Sequence, residues 1–512
     1  MLRRPLAALA LALVLAACGT TRPLPPLVNT DAPADVPDAV TLTVLQLNDV
    51  YEITPVEGGR SGGLARVAWL RQQLMEEDPD VLTVIGGDFV SPSALGTARV
   101  DGNRLNGRQM VAVLNTMGLD LAVLGNHEFD LSEEDFRARV SESRFTYVCA
   151  NTTEADGSPF PRVLADTTFT VTDAGGTARV SVTGVVLASN PKPYVVYSDP
   201  VAAMEAGAAR LAGADALLGL THLAFDQDVQ VAEGSPAYDL IMGGHEHENI
   251  DARRGPDFTP IRKADANART VWVHRLRIDP ATDAVTVHSE LVEITDAMPE
   301  DPATAAEVAR WVDLAYAGFR ADGFEPTREV TTTTDALDGR EATVRNRPGT
   351  LTDLIMEGYF HMAQDAGAEP EIAVFNGGSV RIDDVLPPGP VSEYDVIRVL
   401  PFGGNVLTVE IRGATLDSVL TQGVANRGTG GYLQTYRVTR DSAENGTWLI
   451  DSEPIEADRT YRVVTGDFLV SGRETGLGFL NAETNPNVHT AATHGDVRQA
   501  VIAQLRRQYG GG

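Results

Sequence analysis

Five short segments hold most of the residues capable of metal chemistry. They are Asn48-Asp49-Val50-Tyr51-Glu52, Gly86-Gly87-Asp88, Gly125-Asn126-His127-Glu128, Thr221-His222 and Gly243-Gly244-His245-Glu246-His247. Carboxylate, imidazole and amide are the side chains that borderline divalent cations accept as ligands. Four of the nine histidines fall inside these segments. The neighbouring glycines let the backbone turn tightly and a ligand approach closely. Any one segment alone reads as a turn or cap, because Asp, Asn and Gly are common there; five in order argue for a site. The chemistry such a set suits is that of bound divalent cations, which polarise a substrate oxygen and activate water.

The elements that would position these residues are legible around them. Apolar strand-like runs cover residues 41–47, 81–85, 121–124, 180–186, 216–220 and 240–242, with helical patterns at 63–75 and 107–117 between them. This alternation predicts an α/β domain, and the five segments lie where its strands end, the usual place for chemistry in such folds. Near residue 300 the pattern changes. Asp301-Pro302 is an N-cap followed by a first-turn proline. Val308, Trp311, Val312, Ala315 and Phe319 then share one helical face, which predicts a connecting helix over 299–325. A second α/β block runs over 326–507, and 512 residues are too many for one hydrophobic core.

The order and spacing of the five segments resemble the calcineurin-like metallophosphoesterases: an Asp motif, Gly-Asp, Gly-Asn-His-Glu, a lone His, then Gly-His-x-His. The resemblance implies a β-sandwich flanked by helices over 41–298 and two divalent ions (zinc, manganese, cobalt or iron). It makes Asp88 the carboxylate shared by both ions. Asp49 and His247 would hold one ion; Asn126, His222 and His245 would hold the other. His127 would stabilise the transition state or protonate the leaving group, with Asp130 orienting its ring. The sequence departs from the family at the first motif, where Asp-x-His becomes Asp49-Val50-Tyr51. Two placements of Tyr51 follow: a phenolate ligand to trivalent iron, or a ring turned away from a loosely held metal. Glu52 is a further candidate ligand, with a surface or supporting role as its alternative.

The second block is similar to the C-terminal domain of the bacterial and animal 5′-nucleotidase family, which includes UDP-sugar hydrolases. Asn376-Gly377-Gly378-Ser379-Val380-Arg381 matches Asn-Gly-Gly-x-x-Arg, and Pro401-Phe402-Gly403 matches Pro-Phe-Gly. Arg345-Asn346-Arg347 matches Arg-x-Arg, and Asp467-Phe468-Leu469 with Gly472-Arg473-Glu474 resembles the last motif. The resemblance makes Phe402 and Phe468 a clamp around a base, sets Arg345, Arg381 and Asn376 near phosphate or ribose, and gives Glu474 a base contact. Arginine forks and aromatic faces suit those tasks. Core packing is the alternative for the two phenylalanines. Pro348 and the Gly472–Gly476 run depart from the family pattern in the specificity pocket.

The remaining composition fixes the setting. Net charge is −30, from 41 basic and 71 acidic residues, which repels nucleic acid and anionic headgroups. Arg3 and Arg4 precede a short apolar run that ends in Leu15-Ala16-Ala17-Cys18, which resembles a bacterial lipobox. Cleavage there would make Cys18 a lipid anchor at an extracytoplasmic membrane face, and the prolines of residues 19–40 would form a tether. Cys149, in an apolar run, reads as a buried inert thiol. The function expected is phosphate release from nucleotides. UDP-sugar hydrolysis and 2′,3′-cyclic phosphodiesterase activity share the same motifs. A nucleotide-binding lipoprotein with a degraded metal centre is the alternative of another class, against which His127 and Asp130 argue.

Overall fold

A computed structural model describes residues 39–282, 284–441 and 446–510. The leader, Cys18 and residues 19–38 of the proline-rich segment lie outside the described residues; Val40, expected in the tether, already belongs to the first strand.

Two sheets of the first half pack face to face. One runs Ala284–Glu293, Thr270–Asp279, Val40–Leu47, Leu82–Ile85, Leu121–Ala122, Thr146–Val148, Val163–Leu164; the other Ile250–Arg254, Thr259–Lys263, Leu240–Gly243, Ala216–His222, Gly176–Val186, Asp166–Asp173. The alternation in the first strand explains the packing. Val40, Leu42 and Val44 face Val180, Val182, Leu218, Leu220 and Met242 of the opposite sheet. Each such side chain, fully buried, contributes roughly 1.5–3 kcal/mol.

Parallel pairing sets where the chemistry goes. Val40–Leu47 runs parallel to Leu82–Ile85, and that strand to Leu121–Ala122. In the other sheet Gly176–Val186, Ala216–His222 and Leu240–Gly243 are also parallel. The carboxyl ends of these strands therefore emerge together, and all five segments leave from them. Gln46 ties the sheets at that edge: its Nε2 donates to Gly243 O (3.1 Å) and Arg262 O (3.0 Å), and its Oε1 accepts from His274 Nε2 (2.9 Å).

The helix Pro302–Ala321 starts where the cap residues put it, with Asp301 Oδ2 accepting from Thr304 N at 2.7 Å. Trp311, Ala315 and Phe319 are buried, while Val308 and Val312 are only partly so. It packs on Leu64–Glu77 and Arg108–Met117. Its Tyr316 and Phe319 also reach Tyr394 of the second half, with ring centroids 5.1 and 6.3 Å away.

The second half is built on a five-stranded sheet in the order Leu433–Tyr436, Ile372–Asn376, Thr460–Gly466, Asn405–Arg412, Val488–Asp496. Gly413–Ala425 covers the face formed by Ile372, Val374, Val409 and Val463. Thr350–Asp365 packs on the sheet from the face of Phe375 and against Val497–Tyr509. Ile372–Asn376 and Thr460–Gly466 are parallel neighbours, so Asn376 and Phe468 leave the sheet side by side. No helix among the described residues is long and apolar enough to cross a membrane. Cys149 is buried, and burial pushes its thiol up to about 11.

Candidate metal centre and substrate cleft

At the common strand edge the carboxylates are aimed by the backbone. Asp49 N donates to Gly87 O (3.0 Å), and Asp49 Oδ2 accepts from Asn48 Nδ2 (2.8 Å) and His245 N (2.9 Å). Asp88 Oδ1 accepts from His127 N at 2.7 Å, and Oδ2 lies 3.1 Å from His222 Nε2. His222 Nδ1 donates to Gly86 O at 2.7 Å, which leaves Nε2 directed at the carboxylates. Asp49, Asp88 and His222 are buried and offer ligand atoms all within 4.8 Å of one another.

These residues fit a divalent cation. Asn126 Oδ1 is buried without a hydrogen-bond partner, which is rare unless something else binds there. The backbone is also held against its preference: Asp49, Asp88, His245 and His247 have φ of 53°, 53°, 92° and 56°. Such conformations cost roughly 1–3 kcal/mol each and cluster at functional sites. At Gly125 a Cβ would lie 2.1 Å from Asp88 Oδ1, so only glycine lets the Asn126 turn close on Asp88.

Electrostatics follow from crowding. Burial raises Asp88, but His222 and His127 outweigh it and hold its carboxyl below the usual carboxylate range. Burial lowers His222, but Asp88 outweighs it and raises the imidazole to about 9. Burial, with His222 alongside, pushes His245 down to about 4. Behind this loop Lys263, fully buried, contacts Asp228 (2.7 Å), Glu246 (2.5 Å) and Leu223 O (2.6 Å), and so pins the chain between His245 and His247.

The first-motif departure has a definite geometry. Tyr51 points into the centre: its hydroxyl is 2.9 Å from His247 Nε2, 3.4 Å from Asp88 Oδ2 and 3.5 Å from Asp49 Oδ1. Burial, then Asp88 and Asp49, push its phenol well above 10. Glu52 turns the other way, accepting from Tyr394 Oη of the second half at 3.2 Å.

His127 faces outward from this centre. Its Nδ1 is 2.7 Å from Asp130 Oδ2, and Asp130 also accepts from Ser91 Oγ (3.2 Å) and Asn190 Nδ2 (2.8 Å). Arg381 Nη2 reaches across to His127 Nε2 at 3.3 Å. His127 and Asp130 line a cavity of about 650 Å³ together with Asn376, Arg381, Phe402 and Phe468. The two phenylalanines are 49% and 44% exposed, so neither is packed in the core. Arg345 and Glu474 stand outside this lining. Arg345 pairs with Glu341, which also lies 3.8 Å from Arg381, and Glu474 Oε2 accepts from Asn376 Nδ2 at 2.8 Å.

The calcineurin-like phosphoesterase family model matches residues 42–249, and that of the 5′-nucleotidase C-terminal domain matches 329–480. The chain joins a calcineurin-like phosphoesterase domain to a 5′-nucleotidase C-terminal domain. It is thus a metal-dependent hydrolase by family. A 5′-nucleotidase of Bos taurus is 25% identical over 502 residues, covering 86% of this chain and 84% of that protein. The trifunctional nucleotide phosphoesterase YfkN of Bacillus subtilis is 25% identical over 525 residues, 91% of this chain and 33% of that protein. The fold matches a 5′-nucleotidase precursor of Thermus thermophilus (TM-score 0.74, 22% identity, 92% and 97% of the chains). It also matches the Thermus sulfate thiohydrolase SoxB (TM-score 0.65, 14% identity, 94% and 95%).

In this 5′-nucleotidase-like chain several contributors escape sequence reading. Asn48 and Lys263 act from behind the candidate ligands, on Asp49 and on Glu246 between His245 and His247. Ser91 and Asn190 hold Asp130. Arg104 and Arg473, one from each half, line the cavity. Asn48, adjacent to Asp49, and Arg473, adjacent to Glu474, carried a local signal.

Proposed function

We propose that the protein is an extracytoplasmic, two-metal phosphohydrolase that releases phosphate from nucleotides. The observation that carries this reading is the juxtaposition of His127, beside the Asp49–Asp88–His222 cluster, with Arg381, Phe402 and Phe468 around one cavity. In this reading Asp49, Asp88 and His247 hold one divalent cation and Asp88, Asn126, His222 and His245 the other. Bound there, the cations supply charge that offsets the phosphoryl oxygens and activates water. The chain's own residues do the rest. Arg381 presents donors to a phosphoryl group next to His127. His127, its Nδ1–H held by Asp130, offers Nε2 to the leaving oxygen. Phe402 and Phe468 stack on the base and fix how far the phosphate reaches. Arg345 and Glu474 support Arg381 and Asn376 from behind.

Substrates with a diphosphate are a second reading, favoured by Arg104 and Arg473 on the cavity wall. A lipid anchor at Cys18, beyond the described residues, completes the proposal. The test is phosphate release by the form lacking residues 1–18, from AMP, UMP, ADP, UDP-glucose, 2′,3′-cAMP and p-nitrophenyl phosphate, with manganese, zinc, cobalt or ferrous iron. Metal-dependent preference for one nucleotide supports the reading. Activity on none of them, with metals bound, refutes it.

A further inference from the structure

His247 is held from outside its own half of the chain. Its Nδ1 lies 2.7 Å from Asp383 Oδ2 in the turn after Arg381. Both side chains are largely enclosed, at 15% and 14% exposure. A carboxylate is acceptor-only, so Nδ1 carries the proton and Nε2 is the nitrogen presented to the centre. That Nε2 sits 3.4 Å from Asp49 Oδ1 and 2.9 Å from the Tyr51 hydroxyl.

Asp383 is itself fixed on every side. Its Oδ1 accepts from Glu341 N at 2.9 Å, and its carbonyl accepts from Arg269 Nη2 at 2.8 Å. Its backbone has φ 39°, a conformation that Asp tolerates better than most residues. Arg269, from the first half, also lies 3.6 Å from Asp384 and 3.2 Å from Glu57, while Glu57 N donates to Asp384 Oδ2. The contact to His247 is thus one member of a cross-chain set, and it is the member that ends on an expected metal ligand.

We infer that Asp383 is a positioning residue for His247, so that the second half of the chain completes the metal centre built on the first. The inference rests on the two-metal reading above. A partner on the far nitrogen of a ligating imidazole fixes its tautomer and ring and raises its basicity, and losing one typically costs 10–100-fold in metal affinity. The site holding His247 therefore binds its ion tightly only while the two halves meet at Asp383. Tyr51 makes this dependence sharper, because the first motif supplies a phenol where the family has an imidazole.

The test is chelator-competition titration of manganese on the full chain, with metal counted per chain, for wild type, Asp383→Gly and Asp383→Asn. Glycine removes the carboxylate and accepts φ 39°; asparagine keeps an acceptor for Nδ1–H. The expected result is two ions on wild type, one of the two weakened about 10–100-fold in Asp383→Gly, and recovery of most of that loss in Asp383→Asn. Two ions on wild type and unchanged affinities in Asp383→Gly overturn the inference alone. Equal weakening of both ions in both variants also overturns it, since a general structural defect would do that. Fewer than two ions on wild type overturns the two-metal reading and the inference with it.

Discussion

Removing His127 and Asp130, singly and together, tests whether the outward-facing imidazole performs proton transfer with the carboxylate acting only through it. His127 Nδ1 and Asp130 Oδ2 are 2.7 Å apart, with side chains 23% and 31% exposed. His127→Ala removes an acid–base group, and such groups contribute typically about 10²–10⁴-fold, roughly 3–5.5 kcal/mol of barrier. Asp130→Ala removes the charge-assisted hydrogen bond to His127 Nδ1; those from Ser91 and Asn190 go with it but do not touch the imidazole. Such bonds are worth about 1.5–3 kcal/mol, and partial exposure argues for the lower end, roughly tenfold in kcat. If Asp130 works through His127, its loss costs nothing further once the imidazole is gone. The double variant should then match His127→Ala within about 0.5 kcal/mol, the usual scatter of such cycles. The assay is steady-state phosphate release with metal supplied, alongside metal content to show the ions remain. A double variant slower than His127→Ala by another tenfold would refute the relay, and near-normal turnover in His127→Ala would refute the role of the imidazole.

Tyr51→His should raise the affinity for zinc or manganese at the site shared with Asp49 and His247; an unchanged titration would show that the phenol does not compete there. Phe402→Ala and Phe468→Ala should each raise KM for a nucleotide by roughly 5–150-fold, from stacking worth about 1–3 kcal/mol per base, with little change in kcat and none in KM for ribose 5-phosphate, which has no aromatic ring to clamp. Equal losses on both substrates would contradict the clamp. His274, buried between Gln46 and Ser289, is pushed down to about 3 by burial, with Arg262 adding to the effect. Its folded pKa lies below its unfolded value, so the stability it gives is present above about pH 6.5 and is lost as pH falls towards 3, by at most about 5 kcal/mol. Thermal melts of the wild type should fall across that window more steeply than those of His274→Gln; parallel curves would contradict the assignment.

Much of this candidate site was legible because its expected ligands sit at or just after the ends of apolar strands. Parallel strands with short apolar runs announce both themselves and their carboxyl ends, so Asp49, Asp88, His222 and His245 could be read in order. The connecting helix was equally open, since Asp301-Pro302 is a local signal and the Trp311–Ala315–Phe319 face repeats at helical spacing. What stayed hidden depends on distant contacts. The direction of Tyr51 is set by the His247 and Asp88 side chains, residues 196 and 37 positions away. Glu52, a candidate ligand by sequence, is drawn off by Tyr394 from 342 residues downstream. Asp383 carries no motif of its own and acquires its partner only when the two halves meet. Arg345 and Glu474 contact Glu341 and Asn376, chain residues that no spacing rule identifies.

The claim on which everything else rests is that two cations share Asp88. Anomalous diffraction from crystals soaked in manganese or zinc measures it directly. The account predicts two peaks, one among Asp49, Asp88 and His247 and the other among Asp88, Asn126, His222 and His245. A single peak, or peaks away from Asp88, would contradict it.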